Sequence, residues 1–228
     1  MDRLDKQQVR ARIEQVGIVP VVRAASADEA RFAAAAVHQG GVAIVEITMT
    51  VPGAVEVIRD LAKTMPDVLI GAGTVLDVES AKRCLDAGAQ FLVSPGLDLP
   101  TLEYAVKQEV LMMPGALTPS ELMAAWKAGA DFVKVFPCSQ VGGAGYIKAL
   151  RGPFPHVPLV PTGGVNLNTA AEFIRAGSAA LGLGGELVLK ESLRSRQPEA
   201  IIETARKLRM IVAQTRSELR QESAATKA

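Results

Sequence analysis

The sequence predicts an α/β protein, a (β/α)8 barrel with an extra N-terminal helix. Eight short apolar runs rich in β-branched residues alternate with longer segments of helical period, and the runs begin roughly every 23 residues, about the length of one strand, one helix and two short loops. Strands that are apolar on both faces favour a parallel sheet covered by helices, and closure into a barrel removes its edges. The alternative, an open doubly wound sheet, would gather functional residues at one or two switch points, whereas polar or glycine-rich segments here follow nearly every run.

The predicted elements divide the chain at regular intervals, and no change in composition separates it into two parts, so residues 1–213 are predicted to form a single domain. An amphipathic helix over residues 2–16 precedes the first strand, and a long helix over residues 198–213 follows the last. The polar segment 214–228 lacks an apolar stripe and is expected to be frayed or disordered. The predicted strands are residues 18–23, 42–48, 68–73, 90–94, 110–114, 132–136, 159–162 and 179–182.

A weaker internal repeat supports the count of eight strands. A glycine follows a helical segment and precedes a strand at Gly40, Gly88, Gly129 and Gly177, where it fits a left-handed helix cap. Two strand-helix units separate each of these glycines from the next, which is consistent with a barrel built from four double units.

The composition excludes several classes of function. The 228 residues carry 25 Lys and Arg against 24 Asp and Glu, and this net charge of +1 argues against a general nucleic-acid-binding surface. No apolar run reaches the roughly 18 to 20 residues that cross a bilayer, and the amino terminus lacks the apolar middle of a secretory signal, so we expect a soluble, cytoplasmic protein with no membrane partner. Two cysteines without a CxxC spacing and two histidines give no support for a disulfide framework or a metal site.

Lys134 is the most informative residue at a strand end. It stands in the run FVKVF (132–136), where strand alternation places it on one face with two phenylalanines. An amine in apolar surroundings is costly unless it is neutral or paired. A neutral amine is typical of a lysine that attacks a ketone and forms a Schiff base. The alternative is a lysine that pairs with a buried carboxylate or extends to solvent from an edge strand.

Glu46 shows the same anomaly at the end of the second predicted strand, because it shares a face with Val42 and Ile44. Two inward ionisable groups on different strands suggest a working pair. A carboxylate near a Schiff-base lysine can move protons to and from the substrate through a water molecule. A structural ion pair between Glu46 and Lys134 is the alternative.

The glycine-rich segments after the last two strands indicate an anion site. Loops at these places in such barrels often present backbone N–H groups to a phosphate, and here they hold TGG (162–164) and GLGG (182–185). A lone Gly-Gly more often marks a turn, but two such loops at these strand ends favour a phosphate. Arg23 ends the first strand as a cation that binds a carboxylate or phosphate, or else pairs with an acidic loop residue.

Nearly the whole chain, from about Ile18 to Val188, resembles the family of 2-keto-3-deoxy-6-phosphogluconate (KDPG) and 4-hydroxy-2-oxoglutarate (KHG) aldolases. The motifs occur in family order: VEIT (45–48), GAGTV (71–75), SP (94–95), PG (114–115) with TPSE (118–121), VKVFP (133–137) and PTGGV (161–165). The family implies a (β/α)8 barrel, usually a homotrimer, that uses no metal or organic cofactor.

By that resemblance, Lys134 would form the Schiff base and Glu46 would be the general acid and base. The other matching positions would bind substrate. They are Arg23 for the carboxylate, Thr74 and Pro95 for the pyruvyl pocket, Phe136 as a shield over the imine, and Thr162, Gly163, Gly164, Gly184 and Gly185 for the distal phosphate.

The chain departs from the family pattern in the last glycine loop. Many members have a serine there, and the matching place is Gly185, followed by Glu186. A missing hydroxyl and an added carboxylate would weaken phosphate binding if Glu186 pointed inward. In an extended chain the residue after an inward Gly185 faces the helices, so we expect phosphorylated substrate to remain preferred.

The expected reaction is reversible cleavage of KDPG to pyruvate and glyceraldehyde 3-phosphate. The aldol substrate could instead be KHG, the 6-phosphogalactonate epimer or an unphosphorylated 2-keto-3-deoxy sugar acid. Two other classes are a phosphosugar isomerase or epimerase and a non-catalytic phosphosugar-binding barrel. Borohydride trapping of an imine distinguishes the aldolase from the isomerase, and turnover distinguishes it from the binding protein.

Overall fold

The computed structural model describes residues 4–225 and shows an α/β fold around a curled sheet in which every strand pair is parallel. One sheet has the order β5-β4-β3-β2-β1-β9 and the other the order β6-β7-β8, and a bridge between Thr162 and Gly182 links β8 to β9. The strands are β1 (Ile18–Val22), β2 (Ile44–Thr48), β3 (Leu69–Gly73), β4 (Phe91–Val93), β5 (Leu111–Met113), β6 (Gly115–Ala116), β7 (Val133–Val135), β8 (Leu159–Pro161) and β9 (Leu181–Leu183).

Helices follow the strands and cover the outside of the sheet. A short 3-10 helix, Cys138–Val141, also follows β7. The α-helices are α1 (Lys6–Val16), α2 (Ala27–Gln39), α3 (Ala54–Thr64), α4 (Val78–Asp86), α5 (Leu99–Lys107), α6 (Pro119–Lys127), α7 (Ala144–Arg151), α8 (Ala170–Arg175), α9 (Lys190–Ser195) and α10 (Glu199–Ala225). No helix within residues 4–225 combines the length and apolar character needed to span a membrane.

The fifth predicted strand, residues 110–114, is divided in the structure. β5 pairs with β4, and β6 pairs with β7, while Pro114 stands between them. Proline has no N–H to donate to a strand ladder, although the Pro114 carbonyl still accepts a hydrogen bond of 2.9 Å from the Lys134 N–H. One predicted strand therefore becomes two short ones.

The buried apolar side chains form two clusters on opposite faces of the strands. Val45 and Ile47 of β2 belong to the outer cluster, which lies between the sheet and the helices, whereas Ile44 belongs to the inner one. Val9 and Ile13 of α1 pack into the inner cluster, so α1 covers the interior at the amino-terminal ends of the strands. The alternation expected for a two-faced strand therefore directs Glu46, two residues after Ile44, to the interior.

Both terminal helices differ from their predicted bounds. α1 begins at Lys6, because Asp5 and Gln8 form a capping box, and residues 1–3 lie outside the described chain. The predicted end near residue 213 is wrong, since α10 continues to Ala225. Thr215 is buried, and Arg216 donates hydrogen bonds to backbone carbonyls of α1 and of the segment before β9. These tertiary contacts hold a segment that has no apolar stripe, while residues 226–228 lie outside the described chain.

Three of the four predicted glycine caps are left-handed, with φ of 105° at Gly88 and 93° at both Gly129 and Gly177. Gly40 is not, because it has φ of −71°. The left-handed residue there is Gly41, with φ of 84°. Gly40 is needed for packing instead, since a Cβ atom at this position would lie 2.4 Å from the Ala205 Cβ of α10.

Candidate active site

A cavity of about 340 Å³ opens at the carboxyl-terminal ends of the strands. It lies at the end of the strand interior opposite to α1 and is lined by residues at the ends of the strands and in the loops that follow them. The structure brings together every residue that the sequence predicts for the site. These lining residues are Arg23, Glu46, Thr74, Pro95, Lys134, Phe136, Thr162, Gly163, Gly164, Gly184 and Gly185.

Lys134 points to the interior from the middle of β7. Its neighbours Val133 and Val135 belong to the outer cluster and Phe132 to the inner one, so the side chain follows the strand alternation. Only 7% of Lys134 is exposed, and its Nζ lies 5.4 Å from the centre of the Phe136 ring. Lys134 makes no salt bridge with any carboxylate of residues 4–225. A structural ion pair therefore does not account for its burial.

Glu46 is 2% exposed, and its Oε1 has no hydrogen-bond partner among residues 4–225. Burial raises the pKa of Glu46, and the positive charges of Lys134 and Arg23 oppose that rise. The neighbouring strand makes room for the side chain, because a Cβ atom on Gly73 would lie 1.9 Å from Oε1. Glu46 therefore lines the cavity with one oxygen buried against β3 and with two cations near enough to act on its charge.

Arg23 and Thr74 follow the carboxyl-terminal ends of β1 and β3, the two strands that flank β2 in the sheet. Arg23 follows β1, is exposed, and forms no salt bridge with an acid within the described chain. It is therefore free to meet an anionic ligand. Thr74 follows β3 with φ of 57°, a conformation that is an outlier for a β-branched residue and marks local strain.

The two glycine loops form the far end of the cavity. Gly163 and Gly164 have φ of 92° and 78°, which allows a sharp turn directly after β8. The N–H groups of these residues and of Gly185 donate no hydrogen bond to an acceptor within residues 4–225. A Cβ atom on Gly185 would meet nothing within 4 Å, so this loop leaves open space beside exposed backbone donors.

The predicted orientation of Glu186 is wrong. β9 ends at Leu183, and the Leu187 and Val188 N–H groups both bond to the Gly184 carbonyl, at 3.0 Å and 2.9 Å. The chain is therefore a turn at this point rather than an extended strand, and alternation no longer applies. As a result Glu186 is exposed and lines the cavity together with Gly185.

Lys190 also belongs to the site, although no sequence pattern indicates it. It is the first residue of α9 and lines the same cavity as Glu186. Glu186 and Lys190 are four positions apart, a spacing that predicts contact between two side chains only when both lie in one helix. Here Glu186 lies in the turn before α9, so the spacing predicts nothing. Val21, Val165 and Val188 also line the cavity, and these apolar residues carry no chemical signal.

Cys138 lies beside the site, where its N–H bonds to the Thr162 carbonyl. Burial raises the pKa of the Cys138 thiol to about 11, so little thiolate is present at neutral pH and the residue is a poor nucleophile. Within the described chain, no group of three or more His, Cys, Asp and Glu side chains is arranged to hold a metal ion.

The comparisons with known proteins agree with this geometry. The family model described as KDPG and KHG aldolase matches residues 9–204. A 2-dehydro-3-deoxy-phosphogluconate aldolase of Treponema pallidum is 38% identical over 76% of this chain and 82% of its own, and the KHG/KDPG aldolase of Escherichia coli K12 is 35% identical over 83% and 89%. A crystal structure of KDPG aldolase from Legionella pneumophila, with pyruvate captured as a covalent carbinolamine, superposes with a TM-score of 0.82 and 32% identity, covering 88% of this chain and 98% of that one. The chain belongs to the family of KDPG and KHG aldolases.

Proposed function

We propose that this aldolase cleaves KDPG reversibly to pyruvate and glyceraldehyde 3-phosphate through a Schiff base on Lys134. One observation carries the proposal: Lys134 and Glu46 are both buried on the interior face of the strands and line one cavity without forming a salt bridge to each other. The names of the relatives support KDPG as the substrate.

The first half of the reaction uses Lys134. Its neutral amine attacks the C2 ketone of the substrate, and the carbinolamine loses water to form a protonated imine. This imine is the electron sink of the reaction, so the proposed mechanism requires no metal or organic cofactor. The Phe136 ring next to Nζ shields the imine from bulk water.

The second half uses Glu46. Its carboxylate accepts the proton of the C4 hydroxyl through a water molecule, the C3–C4 bond breaks, and the electron pair of that bond forms the enamine while the aldehyde leaves. Glu46 then returns a proton to C3, and water hydrolyses the imine to release pyruvate and regenerate Lys134. The raised pKa of Glu46 suits this exchange, because such a carboxyl group both accepts and returns a proton more readily near neutral pH.

The two anionic groups of the substrate, its carboxylate and its phosphate, bind at opposite ends of the cavity. Arg23 binds the substrate carboxylate, and Thr74 with Pro95 forms the wall of the pyruvyl pocket. At the far end, Thr162 and the backbone N–H groups of Gly163, Gly164, Gly184 and Gly185 receive the phosphate. Lys190 adds a positive charge to this end and offsets Glu186.

A second candidate substrate is an unphosphorylated 2-keto-3-deoxy sugar acid. It is favoured by the position of Glu186, a carboxylate at the end of the cavity where a phosphate would bind. Comparing kcat/KM for 2-keto-3-deoxygluconate with and without its 6-phosphate separates the two. A preference for the unphosphorylated acid would overturn the KDPG assignment but not the aldolase mechanism.

The direct test of the mechanism is to incubate the protein with pyruvate and sodium borohydride and to measure the intact mass. We expect the mass of one reduced pyruvyl group per chain, and peptide mapping should place it on Lys134. Labelling of another lysine, or no labelling under conditions of full turnover, would contradict the mechanism.

We further propose that residues 1–213 belong to one domain, which also includes the rest of α10 to Ala225, and that the two sheets make a single eight-stranded barrel, with α1 as its extra N-terminal helix. The Thr162–Gly182 bridge and the single-residue gap at Pro114 support this arrangement. The family resemblance supports a homotrimer, which light scattering on the purified protein tests directly. A cytoplasmic location stays a prediction.

A further inference from the structure

A second cavity lies at the amino-terminal ends of the strands, on the opposite side of the protein from the candidate active site. It has a volume of about 790 Å³ and is bounded by the end of α1, the segment before β2 and one face of α10. Five arginines line it and, within residues 4–225, no carboxylate side chain does: Arg12, Arg206, Arg209, Arg216 and Arg220.

The helical spacing of these arginines concentrates their charge. Arg206 and Arg209 of α10 are three residues apart, Arg216 and Arg220 are four apart, and all four share one face of the helix with Ala213 between the two pairs. Like charges at this spacing destabilise a helix, so local helix stability does not explain the pattern. Nearby acids on α10 are engaged elsewhere, since Glu203 pairs with Lys207 and Glu218 pairs with Arg175.

Two of the five arginines are anchored to the fold. Arg216 donates hydrogen bonds of 2.7 Å to the Glu14 carbonyl and 2.7 Å to the Ala179 carbonyl, and Arg12 bonds to the Asp67 carbonyl. All these acceptors are backbone oxygens, so neither guanidinium charge is balanced by a carboxylate at these contacts. Burial and then the charge of Arg220 lower the pKa of Arg216, and the Glu14 carboxylate opposes this effect.

The other three arginines remain available. Arg206, Arg209 and Arg220 are exposed and form no hydrogen bond or ion pair with any residue in the described range 4–225. They project from α10 into the same cavity that Arg12 and Arg216 border. A ligand with several negative charges would therefore contact three guanidinium groups that make no ion pair within residues 4–225.

We propose that this cavity binds a small polyphosphate, a molecule with two or more linked phosphates. Guanidinium groups bind phosphate oxygens in pairs of parallel hydrogen bonds. A single phosphate carries at most two negative charges near neutral pH, which is too few to balance five arginines, whereas a chain of phosphates spans them. Val16 and the largely exposed Met210 provide an apolar wall for an organic group attached to such a chain.

The test is calorimetric titration of the full-length protein with inorganic tripolyphosphate at low salt. We expect saturable binding with a dissociation constant below about 1 mM, and weaker binding as ionic strength rises. The double variant Arg206→Gln/Arg209→Gln should lose about tenfold in affinity or more and keep the pyruvate–borohydride labelling of the active site.

A parallel titration with a nucleoside triphosphate shows whether the apolar wall contributes to binding. Tighter binding than that of tripolyphosphate indicates an organic ligand, and equal binding indicates an inorganic chain.

The matched control is Arg59→Gln, because Arg59 is an exposed arginine on α3 outside this cavity. It should bind tripolyphosphate as the wild type does. Absence of saturable binding, or an equal loss in Arg59→Gln and the double variant, would overturn the proposal. Loss of tripolyphosphate binding when Lys134→Met, which cannot cleave KDPG, is saturated with KDPG, with no effect of the double variant, would assign the binding to the active site and also overturn it.

Discussion

The two ends of the strand interior have opposite chemistry, although the same strands build both. At the amino-terminal end, Ile44 of β2 and Phe132 before β7 pack with Ile13 of α1 in a fully buried apolar cluster. Two residues further along the same strands, Glu46 and Lys134 place charges on the same interior face. On each of these strands, the residue in the packed core and the residue in the candidate active site are only two positions apart.

The difference shows where an ionisable group can be held inside this fold. The amino-terminal end is covered by α1, so a charge there would have neither water nor a partner and would be very costly. At the carboxyl-terminal end the cavity is open, and opposite charges lie near enough to lower the pKa of Glu46 against the effect of burial. Substitutions at the two ends should therefore separate function from stability.

The largest expected effect is that of Lys134→Met, which replaces the amine with an apolar chain of similar length. Turnover should fall by about 10⁴-fold or more, because no other group forms the imine. The free energy of unfolding should change little, since removal of a buried amine is offset by the loss of its attraction to the Glu46 carboxylate. Cleavage assays and denaturant titrations check both parts, and a destabilised variant would show that Lys134 has a structural partner.

Glu46→Gln should have the next largest effect on activity, about 10² to 10⁴-fold. The amide cannot act as a base, so the variant should still form the pyruvate imine but lose exchange of the pyruvate methyl protons with solvent. Borohydride labelling and proton exchange followed by NMR measure the two steps separately. Normal exchange in the variant would assign the base to another group.

At the other end, Ile13→Ala should lower the free energy of unfolding by about 2 to 5 kcal/mol, because it leaves a cavity in the inner cluster. The folded variant should keep its kcat. The control is Met210→Ala, where the side chain is 70% exposed and a change within about 0.5 kcal/mol is expected. A large loss of kcat in folded Ile13→Ala would mean that the two ends are not independent.

The pH dependence of stability should also identify Glu46. Its pKa is raised in the folded protein above the ordinary value of 4.5, so folding favours the protonated form. Its contribution is fully present below about pH 4.5 and is lost as the pH rises through the folded pKa. Relative to Glu46→Gln, the wild type should therefore lose stability as the pH rises above about 4.5 and toward the raised pKa of the folded protein, as measured by denaturant titration. A constant difference would contradict the raised pKa.

The smallest effect is expected at the phosphate end, for Gly185→Ser. The structure has open space for this side chain, and one added hydrogen bond should raise kcat/KM for KDPG about two- to tenfold. The unphosphorylated acid should be unaffected, which provides the internal control. Glu186→Gln should shift the preference in the same direction by removing a negative charge, and a shift toward the unphosphorylated acid would place the phosphate elsewhere.

The sequence by itself predicts most of the chemically distinctive residues that line the cavity at the carboxyl-terminal ends of the strands, although not Lys190 or the orientation of Glu186. Strand alternation alone places Glu46 and Lys134 on the inner face, and the order of the strands places the glycine loops beside them. The cavity contains every residue expected from those patterns. Such predictions succeed because the direction of a side chain on a strand is a local property.

Only the tertiary structure decided the features that depend on contacts between distant segments. The turn that follows β9 directs Glu186 into the cavity, and the packing of α10 against α2 explains Gly40. Arg216 holds α10 to α1 across more than 200 positions of sequence, which extends that helix beyond its predicted end and brings Arg12 to the arginine cavity. No local pattern records these contacts, because each depends on two segments that meet only when the chain has folded.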